Sequence, residues 1–374
     1  MMNFCKNCIL PDTRPNLIFN SDGICNACLQ HNTKNKINWK HREKQFSNLV
    51  KEIKKSNFDN YDCLIPVSGG KDSTWQVIKC LEYGLKPLAV TWKTPGRTEI
   101  GQTNLNNLIN LGVDHIDYQI NPIIESKLML EALRLYGASA IPMHMALFNI
   151  PMKLAIKFQI PLIIYGENSA QEYGGNKDSN ESYILDKKWY DNYGVTNGTK
   201  PEDWISNKIS RKDLSAYLGN NWNEVKSKNI RPIFLGHFFK WDTKNSFQIS
   251  KKHGFKSRKE GPKVGIYNHT DIDCDFISVH HWLKWYKFGF TRDMDNLSIE
   301  IRNRRITRLK ALKILKQKGI KIPKEDINSF CKFVKISNTD FNKICEKFRN
   351  KKIWKKNNNN WTLNNFIIKD WAYS

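Results

Sequence analysis

No apolar run among the 374 residues reaches the length of a membrane span. The nearest, 141–165, is interrupted by His144, Asn149, Lys153, Lys157 and Gln159, which suits an amphipathic helix followed by a strand. The first residues, Met-Met-Asn-Phe-Cys-Lys-Asn-Cys, lack the apolar core of a signal peptide. The expected compartment is therefore the cytoplasm, with no membrane insertion. There free thiols and metal thiolates persist and structural disulfides are rare. Acidic residues are scarce: 36 Asp and Glu stand against 60 Lys and Arg, a net charge of +24. That excess suits nucleic acid, a membrane surface or an anionic small substrate. The lysines are spread along the chain among many asparagines, however, and a solvated basic surface set by compositional bias explains them equally well. No internal repeat is present. With 40% apolar and 12% aromatic residues, the chain has material for two or three domains with substantial cores.

What is there begins with Tyr61-Asp-Cys-Leu-Ile-Pro-Val-Ser68-Gly69-Gly70-Lys71-Asp72-Ser73, a short apolar run that empties into a glycine-rich turn before a helical pattern. A strand ending in Ser-Gly-Gly presents unobstructed backbone N–H groups at the next helix's N-terminus, where the helix dipole and the orphan donors favour phosphate. Lys71 adds a cation. A Walker A loop would need glycine five residues before Gly70 and Ser or Thr directly after the lysine; Ile65 and Asp72 stand there.

Around this loop, strands are expected over 61–67, 86–92, 115–120 and 160–165, and helices over 74–83, 102–111 and 142–158. Such alternation predicts an α/β fold, a doubly wound parallel sheet covered by helices on both faces, with ligands at the carboxyl ends of the strands. Three pieces result: a segment over 1–45, the sheet domain over 46–245, and a mainly helical, basic region over 246–374. In the last, Thr307 can cap a helix that Gly319 stops, and Ser337 or Asn338 can cap another.

The first piece has turn formers and little apolar periodicity, so a ligand must replace its missing core. Cys5-x-x-Cys8 and Cys25-x-x-Cys28, with sixteen residues between the pairs, have the spacing of a four-cysteine Zn²⁺ site. Four thiolates leave no open position for water or substrate, so the expected role is structural. Cys63, Cys80, Cys274, Cys331 and Cys345 show no paired spacing. A further cluster, Tyr165-Gly166-Glu167-Asn168-Ser-Ala-Gln171-Glu172-Tyr173-Gly174-Gly175, follows the last clear strand. Carboxylates there can hold Mg²⁺ or bond a ribose or substrate, and paired glycines permit close backbone approach.

The Ser68–Ser73 loop resembles the Ser-Gly-Gly-x-Asp-Ser loop of the N-type ATP pyrophosphatases (PP-loop enzymes), which implies adenylation with loss of pyrophosphate. Taken with the four cysteines and Gly-Glu-Asn-x-x-x-Glu-Tyr-Gly-Gly, the chain resembles the N-acetyl sugar amidotransferases of surface-polysaccharide and nonulosonate pathways (WbpG/PseA type). The stretches Phe234-Leu-Gly-His-Phe-Phe-Lys-Trp241, Asp271-x-Asp273-x-x-Phe276, Lys287-Phe-Gly-Phe-Thr-Arg292 and Ile299-Glu-Ile-Arg302-Asn-x-Arg305-Ile-Thr-Arg308 are similar too, so the resemblance runs nearly the full length. It implies that an acetamido oxygen of a nucleotide-linked sugar attacks the α-phosphate of ATP and that ammonia then displaces AMP, leaving an acetamidino group. Lys71 and the loop N–H groups of Ser68, Gly69 and Gly70 would neutralise pyrophosphate. Asp72 and Ser73 would position Mg²⁺ or phosphate, with Thr91 and Gly166 beside the nucleotide. Glu167 and Glu172 are the expected ribose, substrate or metal contacts. Asp271, Asp273, His280 and His281 are weaker candidates, and the Arg302–Arg308 cluster is one for the sugar-nucleotide diphosphate or for a solvated helix face.

The chain has no Gly-x-Cys-x-Gly elbow of a triad glutaminase, and its first cysteine is Cys5, so a separate glutaminase is expected. The resemblance implies a HisH-like glutaminase with a HisF-like barrel. Two rivals stand. Thiouridine and lysidine synthases of tRNA share the loop, although some need a mid-chain Cys-x-x-Cys that is lacking here. A non-enzymatic zinc-ribbon adaptor leaves Lys71 and Asp72 unexplained. On this reading nucleic acid is not the expected partner.

Overall fold

The five strands that organise the chain are short, and four of them sit where alternation places them: β1 (Cys63–Pro66), β2 (Pro87–Trp92), β3 (Asp114–Tyr118), β4 (Leu162–Tyr165) and β5 (Arg231–Phe234). The structure, a computed structural model, describes residues 2–56, 60–175, 182–219, 222–357 and 360–368. Every pairing among these strands is parallel, in the order β3-β2-β1-β4-β5. The direction of strand order therefore reverses between β1 and β4, which opens a crevice beyond the carboxyl ends of those two strands.

Strand residues alternate between two cores. Leu64, Leu88, Val90 and Ile163 pack with α5 (Pro122–Tyr136) and α6 (Ile141–Phe158), through Leu128, Ala132, Met145 and Ile150. Cys63, Ile65, Ala89 and Ile164 pack on the opposite face with α2 (Trp39–Ser56), α3 (Lys71–Glu82) and α4 (Glu99–Ile109), through Phe46, Trp75, Val77 and Leu105. This is the doubly wound α/β arrangement expected from the alternation. Cys63 in β1 and Cys80 in α3 are buried as small hydrophobes.

Two elements go beyond the expected alternation. α5 is capped by the Asn121 side chain, with Pro122 in its first turn, and stops at Gly137 in the left-handed region. β5 carries Pro232 as its second residue, which argues against a strand in sequence. The position is tolerated because β5 is the last strand of the sheet, with β4 on one side and only a short bridge from residues 183–185 on the other, where Pro232 needs to offer no more than its carbonyl, to the Leu185 N–H.

Beyond the sheet, helices Phe276–Phe288, Arg292–Arg302, Arg308–Lys318, Lys324–Val334 and Asn338–Lys347 precede an antiparallel hairpin, Trp354–Asn357 with Asn360–Leu363. Thr307 accepts from the Lys310 N–H and Ser337 from the Asp340 N–H, so both expected caps form, and Gly319 ends the first of these helices. The three expected pieces interlock. α2 runs through position 45, and the cysteine segment shares a core with Phe290 and with Met294, Leu297 and Ala311 of the C-terminal helices. No helix among the described residues is long and apolar enough to cross a membrane.

Candidate active site

The loop after β1 turns through Gly69 at φ +82°, a conformation that favours glycine. A Cβ there would lie 2.7 Å from the Leu105 backbone nitrogen of α4. The loop is thus pressed against α4 and needs the missing side chain. Gly70, extended, is the N-cap of α3 and supplies no side-chain cap, leaving the first-turn N–H groups without an internal acceptor. The Ser73 hydroxyl donates to the Gly70 carbonyl (3.0 Å) and accepts from the Ser68 N–H (3.4 Å). Ser73 therefore holds the loop's shape, while Lys71 and Asp72 carry its charge.

Lys71, almost wholly buried, is paired with Asp72, and Asp72 accepts a 3.1 Å hydrogen bond from Trp241 Nε1. The Lys71 ammonium also lies over the Trp241 ring, 5.9 Å from its centre. Ser250 Oγ donates to the Lys71 carbonyl at 2.7 Å, which ties helix Thr243–Lys252 to the start of α3. The bonds from Trp241 and Ser250 each span more than 160 residues of chain.

A cavity of about 410 Å³ opens over the loop, within the size range of small-molecule sites. Ser68, Gly70, Lys71, Asp72, Ser73 and Thr91 line it, with Glu167 across the crevice. Its far wall is the segment 271–274, anchored on the loop after β2. Thr98 Oγ1 donates to Ile272 O at 2.6 Å, the Thr98 N–H to Asp273 O at 3.2 Å, and Thr94 Oγ1 meets Cys274 Sγ at 2.8 Å. Thr91 has its hydroxyl 2.8 Å from His115 Nε2. Gly69 and Gly166 do not line the cavity. Gly69 packs beneath it, and Gly166 accepts from the Gly236 N–H at 3.0 Å.

Burial and the neighbouring Asp72 charge push the Glu167 carboxyl up to about 7. Asp72 beside Lys71, with Glu167 across the crevice, forms a donor set that fits a hard divalent cation such as Mg²⁺, whose charge would favour the ionised form of Glu167. Burial likewise raises Asp273, whereas Arg292, 2.9 Å from Asp271, holds that carboxyl well below its usual range. Asp271 and Asp273 both line the cavity. His281 lies 3.9 Å from Asp271 and outside the cavity, with burial lowering it to about 4. His280 stands beside His144, ring centres 5.7 Å apart, in a neighbouring chamber.

Two expectations are corrected. Glu172 does not reach the cavity: its side chain pairs with Lys34 of α1 (Asn26–Lys34), both buried, and its carbonyl accepts from Arg302 at 3.2 Å. The Arg302–Arg308 cluster is neither a diphosphate clamp nor a solvated face. Arg302 is buried, Arg305 is held by Asp242 and Glu300, and Arg308 donates to the Cys8 carbonyl at 3.0 Å.

The four cysteines converge. Their ligand atoms all lie within 4.8 Å of one another, and Cys8 Sγ and Cys25 Sγ are 3.8 Å apart. A tetrahedral zinc with Zn–S bonds of roughly 2.3 Å has S···S edges of about 3.8 Å. The Cys8 and Cys25 N–H groups donate to Cys5 Sγ. Arg302, its Nη1 buried without a hydrogen-bond partner, is raised by the nearby cysteine charges. A buried cation beside four thiolates suits the residual negative charge of a four-cysteine zinc centre, so the donor set fits Zn²⁺.

Trp241, Tyr173, Tyr267, His269 and Arg292 also line the cavity and received no role from sequence. Trp241 and Arg292 sat in motif stretches quoted above, but nothing local tells that their partners are Asp72 and Asp271. His269 is stacked on Phe247 at 3.9 Å and lowered to about 4 by burial, which leaves a neutral ring whose buried Nε2 has no partner.

Residues 246–367 match the C-terminal domain of WbpG-like LPS biosynthesis proteins. Among solved structures, NMN synthetase from Francisella tularensis is 17% identical, covering 52% of this chain and 96% of that one, with a TM-score of 0.27. The predicted subunit of tRNA methyltransferase from Methanocaldococcus jannaschii is 16% identical, covering 63% and 92%, with a TM-score of 0.30. No curated protein sequence matches significantly. The matched region, about a third of the chain, supplies the 271–274 wall of the cavity over the Ser68–Ser73 loop.

Proposed function

We propose that the chain is an ATP-dependent amidotransferase that converts an acetamido group of a nucleotide-linked sugar into an acetamidino group, for surface polysaccharide or nonulosonate glycan synthesis. The observation that carries this reading is the construction of one cavity from two sources: the Ser68–Ser73 loop and Glu167 on one side, and Asp271–Cys274 of the WbpG-like domain on the other.

Amides are poor electrophiles, and adenylation supplies a leaving group. The acetamido oxygen forms a bond to the α-phosphorus of ATP while the bond to pyrophosphate breaks. Ammonia then adds to the imidoyl carbon, and AMP departs with the former carbonyl oxygen. Lys71 and the first-turn N–H groups of α3 stabilise the charge gathering on pyrophosphate, the Ser68 and Gly70 N–H groups being engaged by the Ser73 and Ser68 hydroxyls, and removal of one such donor typically lowers turnover by about 10²–10³. Asp72 and Glu167 would hold Mg²⁺, which supplies charge neutralisation at the phosphates. Cys5, Cys8, Cys25 and Cys28 would hold Zn²⁺ as a structural centre. Ammonia comes from a separate HisH-like glutaminase with a HisF-like barrel, and part of the basic surface serves as their docking face. The compartment is the cytoplasm.

The test is mass spectrometry of candidate nucleotide sugars after incubation with ATP and high ammonium, with pyrophosphate release followed in parallel. An oxygen-to-NH exchange on the sugar is the expected result, with Lys71→Met releasing pyrophosphate at least a hundredfold more slowly. Stimulation of pyrophosphate release by tRNA and not by sugars would replace this reading with a tRNA-modifying one.

A further inference from the structure

Behind the loop cavity lies a second chamber of about 380 Å³. Tyr173 and Arg292 line both, so a single wall separates them. The Glu167–Gly175 block straddles that wall: Glu167 faces the first cavity, and Ser169 and Gly174 face the second.

The second chamber carries a surplus of positive charge. Arg14, Lys284, Lys287 and Arg292 line it against one carboxylate, Asp295. Asp295, fully buried, is already engaged by Arg14 at 2.9 Å and lies 4.0 Å from Arg292. Arg292 is further committed to Asp271. That leaves the two lysines. Lys284 meets the neutral ring of His281 at 3.3 Å, and Lys287 donates to the Tyr136 carbonyl at 2.8 Å; among the described residues neither has a carboxylate within ion-pair distance. Burial lowers both, Lys284 to about 8. Desolvated cations without an anion cost stability, and a site that retains them is complementary to an anionic ligand. The remaining walls combine apolar and aromatic side chains, Ile141, Leu283, Phe288, Phe290 and Tyr193, with the rings of His144 and His280. Arg14 lies over the rings of Tyr173 and Phe290 at 5.2 and 5.6 Å.

We infer that this chamber binds the phosphate-bearing end of the substrate, the nucleotide portion of a nucleotide-linked sugar, with Lys284 and Lys287 on the phosphate and the aromatic walls against base or ribose. The sugar's amide then passes the Tyr173–Arg292 wall into the loop cavity. This assignment rests on the proposed amidotransferase reading and moves the diphosphate contact away from the Arg302–Arg308 cluster.

The experiment is calorimetric titration of the full-length, zinc-loaded chain with UDP and with CMP, without ATP and again with a non-hydrolysable ATP analogue saturating the loop. One of the two probes should bind at one per chain, with affinity unchanged by the analogue. Lys284→Met and Lys287→Met should each weaken that probe at least tenfold and leave analogue affinity within twofold. Both variants should melt at or above the wild-type temperature, because a partly buried cation with no ion-pair partner among the described residues has been removed. Binding of neither probe, displacement by the ATP analogue, or indifference to both lysine substitutions would overturn the assignment. The two readings fail separately. Lysine-dependent nucleotide binding without sugar amidation would leave the chamber and refute the reaction. Amidation with a sugar KM unchanged in both variants would refute the chamber alone.

Discussion

Replacing Glu167 with Gln should change two measurable quantities in opposite directions, and the size of each follows from where the carboxyl sits. Its value of about 7 replaces an ordinary 4.5, because burial and the Asp72 charge both disfavour ionisation. At pH 6, one unit below that value, about one molecule in ten carries the charge, and at pH 8 about nine in ten do. If the carboxylate contacts the cation that accompanies ATP, wild-type affinity for Mg²⁺-ATP should fall about ninefold to tenfold from pH 8 to pH 6, about 1.4 kcal/mol, beyond the change contributed by ATP's own titration. Glu167→Gln should bind more weakly at pH 8 and show only ATP's part of the slope. Stability runs the other way. The folded-state value is raised, so this group's stabilising contribution is complete below about 4.5 and is lost as pH rises through 7, an effect on the order of 3 kcal/mol in the metal-free protein. The Gln variant should therefore melt like the wild type near pH 4.5 and above it at pH 8. Calorimetric titration at pH 6, 7 and 8, paired with thermal unfolding in EDTA-free, magnesium-free buffer, reads both. Equal affinity at pH 8 together with equal pH slopes for the two proteins would refute the placement of Glu167 against the cation.

Gly69→Ala should destabilise far more than Gly112→Ala in chemical denaturation. Both have positive φ, which costs a Cβ-bearing residue about 1–2 kcal/mol, but a Cβ at 69 strikes the Leu105 backbone at 2.7 Å whereas one at 112 meets nothing within 4 Å; equal losses would contradict the close fit of loop and α4. Glu125, buried and accepting from Trp92 Nε1 at 2.9 Å, is pushed up to about 8 by burial, so its contribution to stability is lost as pH rises from about 4.5 through 8. Glu125→Gln should accordingly match wild type at acidic pH and gain in melting temperature toward pH 9, and parallel pH curves would speak against a neutral buried carboxyl. Cys25→Ser should lower zinc content from one per chain and, because the cysteines share a core with Met294, Leu297 and Ala311, should also raise hydrogen exchange in helices Arg292–Arg302 and Arg308–Lys318; unchanged exchange there would mean that the cysteine segment is energetically separate.

The amino-acid order by itself determined the features whose physics is local. Four strands and three helices around the loop were legible because hydrophobic periodicity and turn chemistry act within a few residues, and the Cys-x-x-Cys pairs because a metal knuckle needs only adjacent ligands. Lys71, Asp72 and the loop glycines were legible for the same reason: a strand, a turn and a helix N-terminus are consecutive in sequence. β5 was hidden by Pro232, which only its place as the last strand of the sheet makes acceptable. The partners of the charged groups were decided by tertiary structure alone. Glu172 and Glu167 lie five residues apart in one motif, yet the turn of helix Ser169–Tyr173 between them sends the first to Lys34 near the cysteines and leaves the second over the loop. Asp72 is completed by Trp241, 169 residues away, and the arginines that looked free in sequence are consumed by Glu172, Asp242, Glu300 and Cys8. The surplus cations emerged instead at Lys284 and Lys287, beside a chamber that exists only because Arg14, Tyr173 and Arg292 meet. Whether a charge is spent or available depends on contacts between segments far apart in the chain, and those form only when the sheet, the cysteine segment and the C-terminal helices pack together.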